Sequence, residues 1–101
     1  MRNIAIASII AFAALTPLCA QAQDQAAAGS EIYAEKCAEC HGERLVSTGG
    51  AADLRELRAD ERPRFLASVN EGKGQMPAWR GTLSDEEIDL LWAYVRSRAK
   101  D

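Results

Sequence analysis

Two cysteines three positions apart, with a histidine directly after the second, constrain this chain more than any other feature: Cys37-Ala38-Glu39-Cys40-His41. His41 is the single histidine, and Cys19 is the one cysteine outside the motif. Cys19 belongs to a stretch that reads as an export leader. Arg2 supplies its positive start, residues 4–18 carry no charge, and Ala20-Gln21-Ala22 is the small-x-small pattern that signal peptidase cleaves. The apolar run is too short to span a bilayer comfortably. A lipoprotein leader acylated at Cys19 is disfavoured by Leu18, which is bulky where such signals carry a small residue.

Removal of residues 1–22 leaves 79 of the 101 residues and makes Cys37 and Cys40 the only thiols of an exported protein. No disulfide framework can be drawn from them. A chain this short buries a small share of its surface and leans on a disulfide, a metal or a cofactor. The Cys-Cys-His motif is the place where such a staple would attach. Cleavage also takes Arg2 and no acid, so 12 basic and 15 acidic residues become 11 and 15, a net charge of −4. That balance argues against nucleic acid and against a polybasic membrane anchor.

The mature chain reads as three helices and two loops with no strand pattern. Residues 23–28 are polar and alanine-rich without a cap and are expected to be a flexible lead, with one domain over residues 29–101. Residues 30–40 predict a short helix capped by Ser30 and ended by Gly42. Residues 43–52, with Gly49 and Gly50, read as an irregular loop. A middle helix follows, with Asp60 as its cap, Pro63 in its first turn, and Phe65, Leu66 and Val69 as an apolar stripe ending at Gly72. Residues 72–81 form a second loop holding Gly74, Met76, Pro77 and Trp79. The last helix carries a capping-box pair, Ser84 and Glu87, before Ile88, Leu91, Trp92 and Val95 at helical spacing. Arg96, Arg98 and Lys100 at its end read as a solvated face that complements the helix dipole. Three helices enclose too little core unless a flat apolar group fills the centre.

Cys-x-x-Cys-His is the pattern for covalent haem attachment. Two thiols on one helical turn can reach the two vinyl groups on one porphyrin edge, and the adjacent imidazole is carried under the iron. Half of a zinc site and a redox-active dithiol are the competing readings. A closed zinc site wants four ligands, and beyond Cys37, Cys40 and His41 the mature chain has no further cysteine or histidine. A thioredoxin-like dithiol would follow a strand, which the pattern does not supply. An electron-carrying iron profits from a second axial ligand, and a methionine thioether favours the ferrous state. Met76 is the single methionine of the mature chain. It sits 35 positions beyond His41, in a glycine-rich loop beside Pro77, where ordinary core filler is the alternative role.

These residues resemble the class I cytochrome c family over roughly residues 29–99. Gly29, Tyr33 and Cys37, spaced by four, are similar to its N-terminal helix, and Leu91 and Tyr94 to that helix's partners. Glu71-Gly72-Lys73-Gly74-Gln75-Met76-Pro77-Ala78-Trp79 resembles its methionine loop, particularly in small cytochromes and cytochrome domains associated with quinoprotein alcohol dehydrogenases. Ala52-Asp53-Leu54-Arg55 is a weaker echo of that branch. The resemblance implies an all-α cytochrome c fold around one covalent haem c, with Cys37 and Cys40 as thioethers, His41 as proximal ligand and Met76 as distal ligand. It further implies Leu54 in the haem pocket, with Arg55 and Trp79 as candidate donors to the propionates. The family often carries a proline whose carbonyl accepts a hydrogen bond from the ligand imidazole; this chain has Ala52 there.

The implied function is one-electron transfer in the periplasm by a non-enzymatic monomer without a stable membrane anchor. Its expected partners are a dehydrogenase donor, with a quinoprotein alcohol dehydrogenase as one candidate, and an oxidase or other respiratory acceptor. Two alternatives are a haem protein with an open distal face, acting as gas sensor or peroxidase, and a cytochrome subunit bound tightly to one dehydrogenase. A peroxidase profits from a polar acid/base group over the iron, and there is no second histidine to supply one.

Overall fold

Proline fixes the start of the longest helix. In the computed structural model, which describes residues 17–100, α1 spans Leu18–Lys36 and begins directly after Pro17 at φ −58°. The charged start and most of the apolar run that the sequence reading assigns to an export leader lie outside the described residues. Three further helices follow: α2 (Ala38–His41), α3 (Arg62–Glu71) and α4 (Asp85–Ser97). Tight helical turns at Glu43–Leu45, Leu54–Glu56 and Ala59–Glu61 link them, and no strand forms among the described residues. The all-α class read from the sequence is the one observed.

Two expectations at the N-terminal end are corrected. Residues 23–28 are not an irregular lead but part of α1, and Ser30 lies inside that helix instead of capping it. The Ala26-Ala27-Ala28 run has high helix propensity, and tertiary packing does the rest. Gly29 and Tyr33, one turn apart, are buried where α1 crosses α4. A Cβ at Gly29 would lie 1.9 Å from the Leu90 carbonyl oxygen and 3.0 Å from the Tyr94 Cβ. The helices can approach this closely because there is no side chain at Gly29. One turn on, the Tyr33 and Tyr94 rings meet at 5.3 Å between centroids, tilted by 51°.

The Ser84–Glu87 capping box forms as the sequence predicts. Ser84 Oγ accepts from the Glu87 N–H and the Glu87 carboxylate accepts from the Ser84 N–H, both at 3.0 Å. Ile88, Leu91, Tyr94 and Val95 are the buried face of α4. Trp92 is only partly buried, packed on Phe65 at 5.1 Å between ring centroids. The cap of the middle helix differs from expectation. The Arg58 N–H donates to the Glu61 carboxylate at 3.0 Å, while Asp60 only pairs with the exposed Arg58 guanidinium. Pro63 sits in the first turn of α3, where its missing N–H costs nothing.

The basic end of α4 is also corrected, because it is not simply a solvated face. Arg96 donates to the Leu57 carbonyl at 2.7 Å and Arg98 to the Arg44 carbonyl at 3.1 Å. The Lys100 N–H donates to the Arg55 carbonyl at 2.9 Å, and its ammonium pairs with Asp53 at 2.9 Å. These contacts tie the two loops of the middle of the chain to the terminal helix. Leu45, placed by the sequence in an irregular loop, is fully buried in the core with Tyr33, Phe65, Val69, Leu83 and the α4 residues. It reaches the core through left-handed backbone at Arg44 and itself, φ 54° and 67°.

The helix crossing yields the first prediction. Gly29→Ala should lower stability by about 1–3 kcal/mol through overpacking, although alanine is favoured by about 1 kcal/mol in a free helix; urea unfolding of the haem-loaded protein measures it. Tyr33 yields the second. Its hydroxyl donates to the Gly42 carbonyl at 2.6 Å in a buried position. Burial first, then the nearby Cys37 and Tyr94, push its ionisation from 10.0 up to about 12. The folded state therefore holds this proton more tightly than the unfolded chain. The associated stability is complete below pH 10 and is lost as pH rises towards 12. Tyr33→Phe should lower stability at neutral pH by about 1 kcal/mol and remove this part of the alkaline decline, as thermal melts across that range would record.

Candidate functional site

The end of α1 runs straight into the Cys-Cys-His motif. Cys37 caps α1, its N–H donating to the Tyr33 carbonyl at 2.9 Å, and α2 then carries Ala38 to His41. Cys37 is partly buried and Cys40 exposed, and no disulfide joins them. Burial, with a smaller contribution from Cys40, pushes the Cys37 thiol from 9.0 up to about 11. A redox-active dithiol needs the opposite, a thiol made acidic by its surroundings. The zinc reading gains nothing either: among the described residues no group of three or more His, Cys, Asp or Glu side chains is placed to hold a metal ion.

Gly42 lets the chain leave α2 sharply. Its φ is 92°, and a Cβ there would sit 1.9 Å from the Val46 carbonyl oxygen. The Tyr33 hydroxyl bond to the Gly42 carbonyl closes this turn from the core side. Beyond it the chain returns towards the histidine. His41 Nδ1 lies 3.2 Å from the Ala52 carbonyl oxygen. A carbonyl only accepts, so this contact places a proton on Nδ1; in the neutral imidazole the lone pair then lies on Nε2. The alanine at this position thus supplies the acceptor that the resembling family draws from proline.

Next to it, Asp53 organises the turn at Leu54–Glu56. Its carboxylate accepts from the Arg55 N–H and from Arg55 Nε and Nη2, each at 3.0 Å. These bonds, with Lys100 second, hold the Asp53 carboxyl well below the usual carboxylate range. Arg55 therefore directs two of its five N–H groups at Asp53. Leu54 packs partly buried against the core.

The methionine loop is an excursion from the end of α3. The chain departs at Gly72, φ 80°, where a Cβ would lie 2.7 Å from the Met76 carbonyl oxygen. Lys73 and Met76 exchange backbone hydrogen bonds of 3.1 and 3.0 Å around a tight turn with Gly74 at φ 60°. The loop returns when the Trp79 N–H donates to the Val69 carbonyl at 2.8 Å, and the Arg80 side chain pairs with Glu71. Met76 and Trp79 lie partly buried against the core, as do Leu54, Leu57 and Leu66. The donor set fits a haem: two thiols on one turn, an imidazole engaged through Nδ1, a thioether on a hydrogen-bonded loop, and apolar side chains at the core's edge. What the sequence did not reveal is the set of side chains bonded to backbone here, Tyr33 on the Gly42 carbonyl and Ser47 on the Ala51 carbonyl. Carbonyls carry no residue-type signal.

The chain's likeness to known proteins agrees with this chemistry. Residues 24–95 match the family described as "Cytochrome C oxidase, cbb3-type, subunit III". Cytochrome c6 of Leptolyngbya boryana is 38% identical over 80 residues, covering 74% of this chain and 94% of that protein. Quinohemoprotein alcohol dehydrogenase ADH-IIG of Pseudomonas putida is 33% identical over 76 residues, which cover 73% of this chain but 11% of the enzyme. The cbb3-type cytochrome c oxidase subunit FixP of a Bradyrhizobium strain is 35% identical over 78 residues, 71% of this chain and 27% of that subunit. No solved structure matches. The helical fold, the haem-attachment motif and these matches together identify the chain as a member of the class I c-type cytochromes, electron-transfer proteins that carry one covalently bound haem c.

Proposed function

We propose that the protein is an exported one-electron carrier working in the periplasm between a dehydrogenase and a respiratory acceptor. In this reading Cys37 and Cys40 form the thioethers, His41 Nε2 is the proximal iron ligand and the Met76 thioether the distal one. The haem supplies the single redox centre, taking up and releasing one electron. The chain's own residues do the rest. Ala52 orients the imidazole through Nδ1, the Lys73–Met76 turn presents the thioether, and Leu54 and Trp79 border the group. Arg55 and Trp79 are the candidate donors to the propionates, with Arg55 also engaged by Asp53.

The observation that carries the proposal is the 3.2 Å contact between His41 Nδ1 and the Ala52 carbonyl, because it leaves Nε2 as the metal-binding nitrogen. Thioether ligation by Met76 keeps the iron's surroundings similar in both oxidation states, which suits a carrier and leaves no open position for peroxide or a gas. The match to one segment of a quinohemoprotein alcohol dehydrogenase supports a dehydrogenase of that kind as electron donor, and the match to cytochrome c6 supports a non-enzymatic role for this chain. No helix among the described residues is long and apolar enough to cross a membrane. A monomer that meets its partners through a small, salt-sensitive interface would release them at each turnover.

Optical spectroscopy of the purified protein tests the ligand set. The oxidised form should show a sulfur-to-iron charge-transfer band that Met76→Ala abolishes while the haem stays covalently bound. Retention of that band in Met76→Ala would remove Met76 as ligand, and its absence from the parent protein would favour the open-face reading. Intact mass and N-terminal sequencing of the exported protein should give a chain beginning at Gln23. A chain that keeps residues 1–22 would overturn the leader assignment. Co-purification with a large dehydrogenase through high salt would favour the dedicated-subunit reading over the free carrier.

A further inference from the structure

We infer that Ser47 is a positioning residue for the proximal ligand, replacing the restraint that a proline at position 52 would give. The inference rests on the proposed role of His41 as iron ligand. A proline locks the rotation about its own N–Cα bond, one of the two rotations that set the direction of its carbonyl. Alanine has no such lock, yet the Ala52 carbonyl is the group that meets His41 Nδ1. The peptide planes on both sides of Ala52 must be fixed from outside if that carbonyl is to stay aimed.

Ser47 does this. Its Oγ lies 2.7 Å from the Ala51 carbonyl oxygen, in a partly buried position. The same Oγ accepts from the Gly49 N–H at 3.2 Å. With its acceptor side occupied, the hydroxyl proton is directed at Ala51. The Ala51 carbonyl belongs to the 51–52 peptide plane, so holding it anchors one end of the torsion that proline would lock. Gly49, at φ 101°, allows the five-residue loop to close on itself. On the far side, Asp53 holds the next turn by accepting from the Arg55 N–H. The Ala52 carbonyl is thus clamped from both neighbours.

A hydrogen bond from the distant imidazole nitrogen raises the electron-donating power of the metal-bound one. A firm Ala52 carbonyl therefore favours ferric iron. Loosening it weakens that bond and shifts the balance towards ferrous iron. The experiment compares reduction potential and Nδ1–H solvent exchange by NMR in the haem-loaded parent, Ser47→Ala, Ser47→Thr and Ser47→Ala/Ala52→Pro. Ser47→Ala should raise the potential and speed exchange of the Nδ1 proton. Ser47→Thr, which keeps the hydroxyl, should match the parent, and the double variant should return both readouts towards it. Lowered thermal stability with both readouts unchanged in Ser47→Ala would overturn the inference, as would a double variant that restores neither. If Ser47→Ala alone does not fold, the double variant decides: parent-like values support the inference and a failure to fold overturns it. The parent spectrum separately reports whether a histidine binds the iron at all, so failure of the ligand assignment is distinguishable from failure of this one.

Discussion

Helix α1 crosses α4 at Gly29, with the Leu90 carbonyl where a side chain on any other residue would stand. Everything at the haem-attachment motif is indexed to that crossing. Tyr33 lies one turn further along α1, its ring against Tyr94 and its hydroxyl on Gly42, and Cys37 one turn further still. A change in the depth of the crossing would move the thiols and the imidazole together. The end of α4 closes the arrangement by binding the loops that follow His41, through Arg98 on the Arg44 carbonyl and Lys100 on Asp53.

The two candidate ligands are held in different ways. His41 rides on a four-residue helix and is oriented by a backbone carbonyl from eleven residues on. Met76 is presented by a tight turn whose ends are anchored to α3, at Gly72 on departure and at Val69 on return. In both cases the support is backbone hydrogen bonding around glycines with positive φ, not a shell of charged side chains. Such supports change little when the site changes charge by one electron, a useful property in a carrier.

Where local chemistry decides structure, the sequence was readable. The Ser84–Glu87 box, the stop of α3 at Gly72 and the buried face of α4 follow from capping chemistry and helical spacing, which are properties of short segments. The cysteine and histidine spacing was legible for the same reason, because the chemistry needs those residue types on one turn. The misreadings have a common cause. Residues 23–28 looked like a lead because they have no cap of their own, yet they are helical as an extension of a helix packed on α4. Leu45 looked like a loop residue because its burial depends on left-handed backbone that no pattern announces. Arg96, Arg98 and Lys100 looked like a solvated face because their partners are carbonyls and a carboxylate far away in the chain.

The sequence by itself determined the class of the protein and the identity of its reactive groups: a helical chain with one paired thiol motif, one imidazole and, beyond residue 22, one thioether. Those are matters of composition and spacing, and they survive any rearrangement of the loops. The tertiary structure alone decided which nitrogen of His41 is engaged, because that depends on where the Ala52 carbonyl falls. It decided as well what steadies the peptide before that carbonyl, since Ser47 reaches the Ala51 carbonyl only when the loop folds back on itself. Hydrogen bonds to backbone are made with whatever carbonyl the fold delivers, and the fold is set by the packing of α1 on α4.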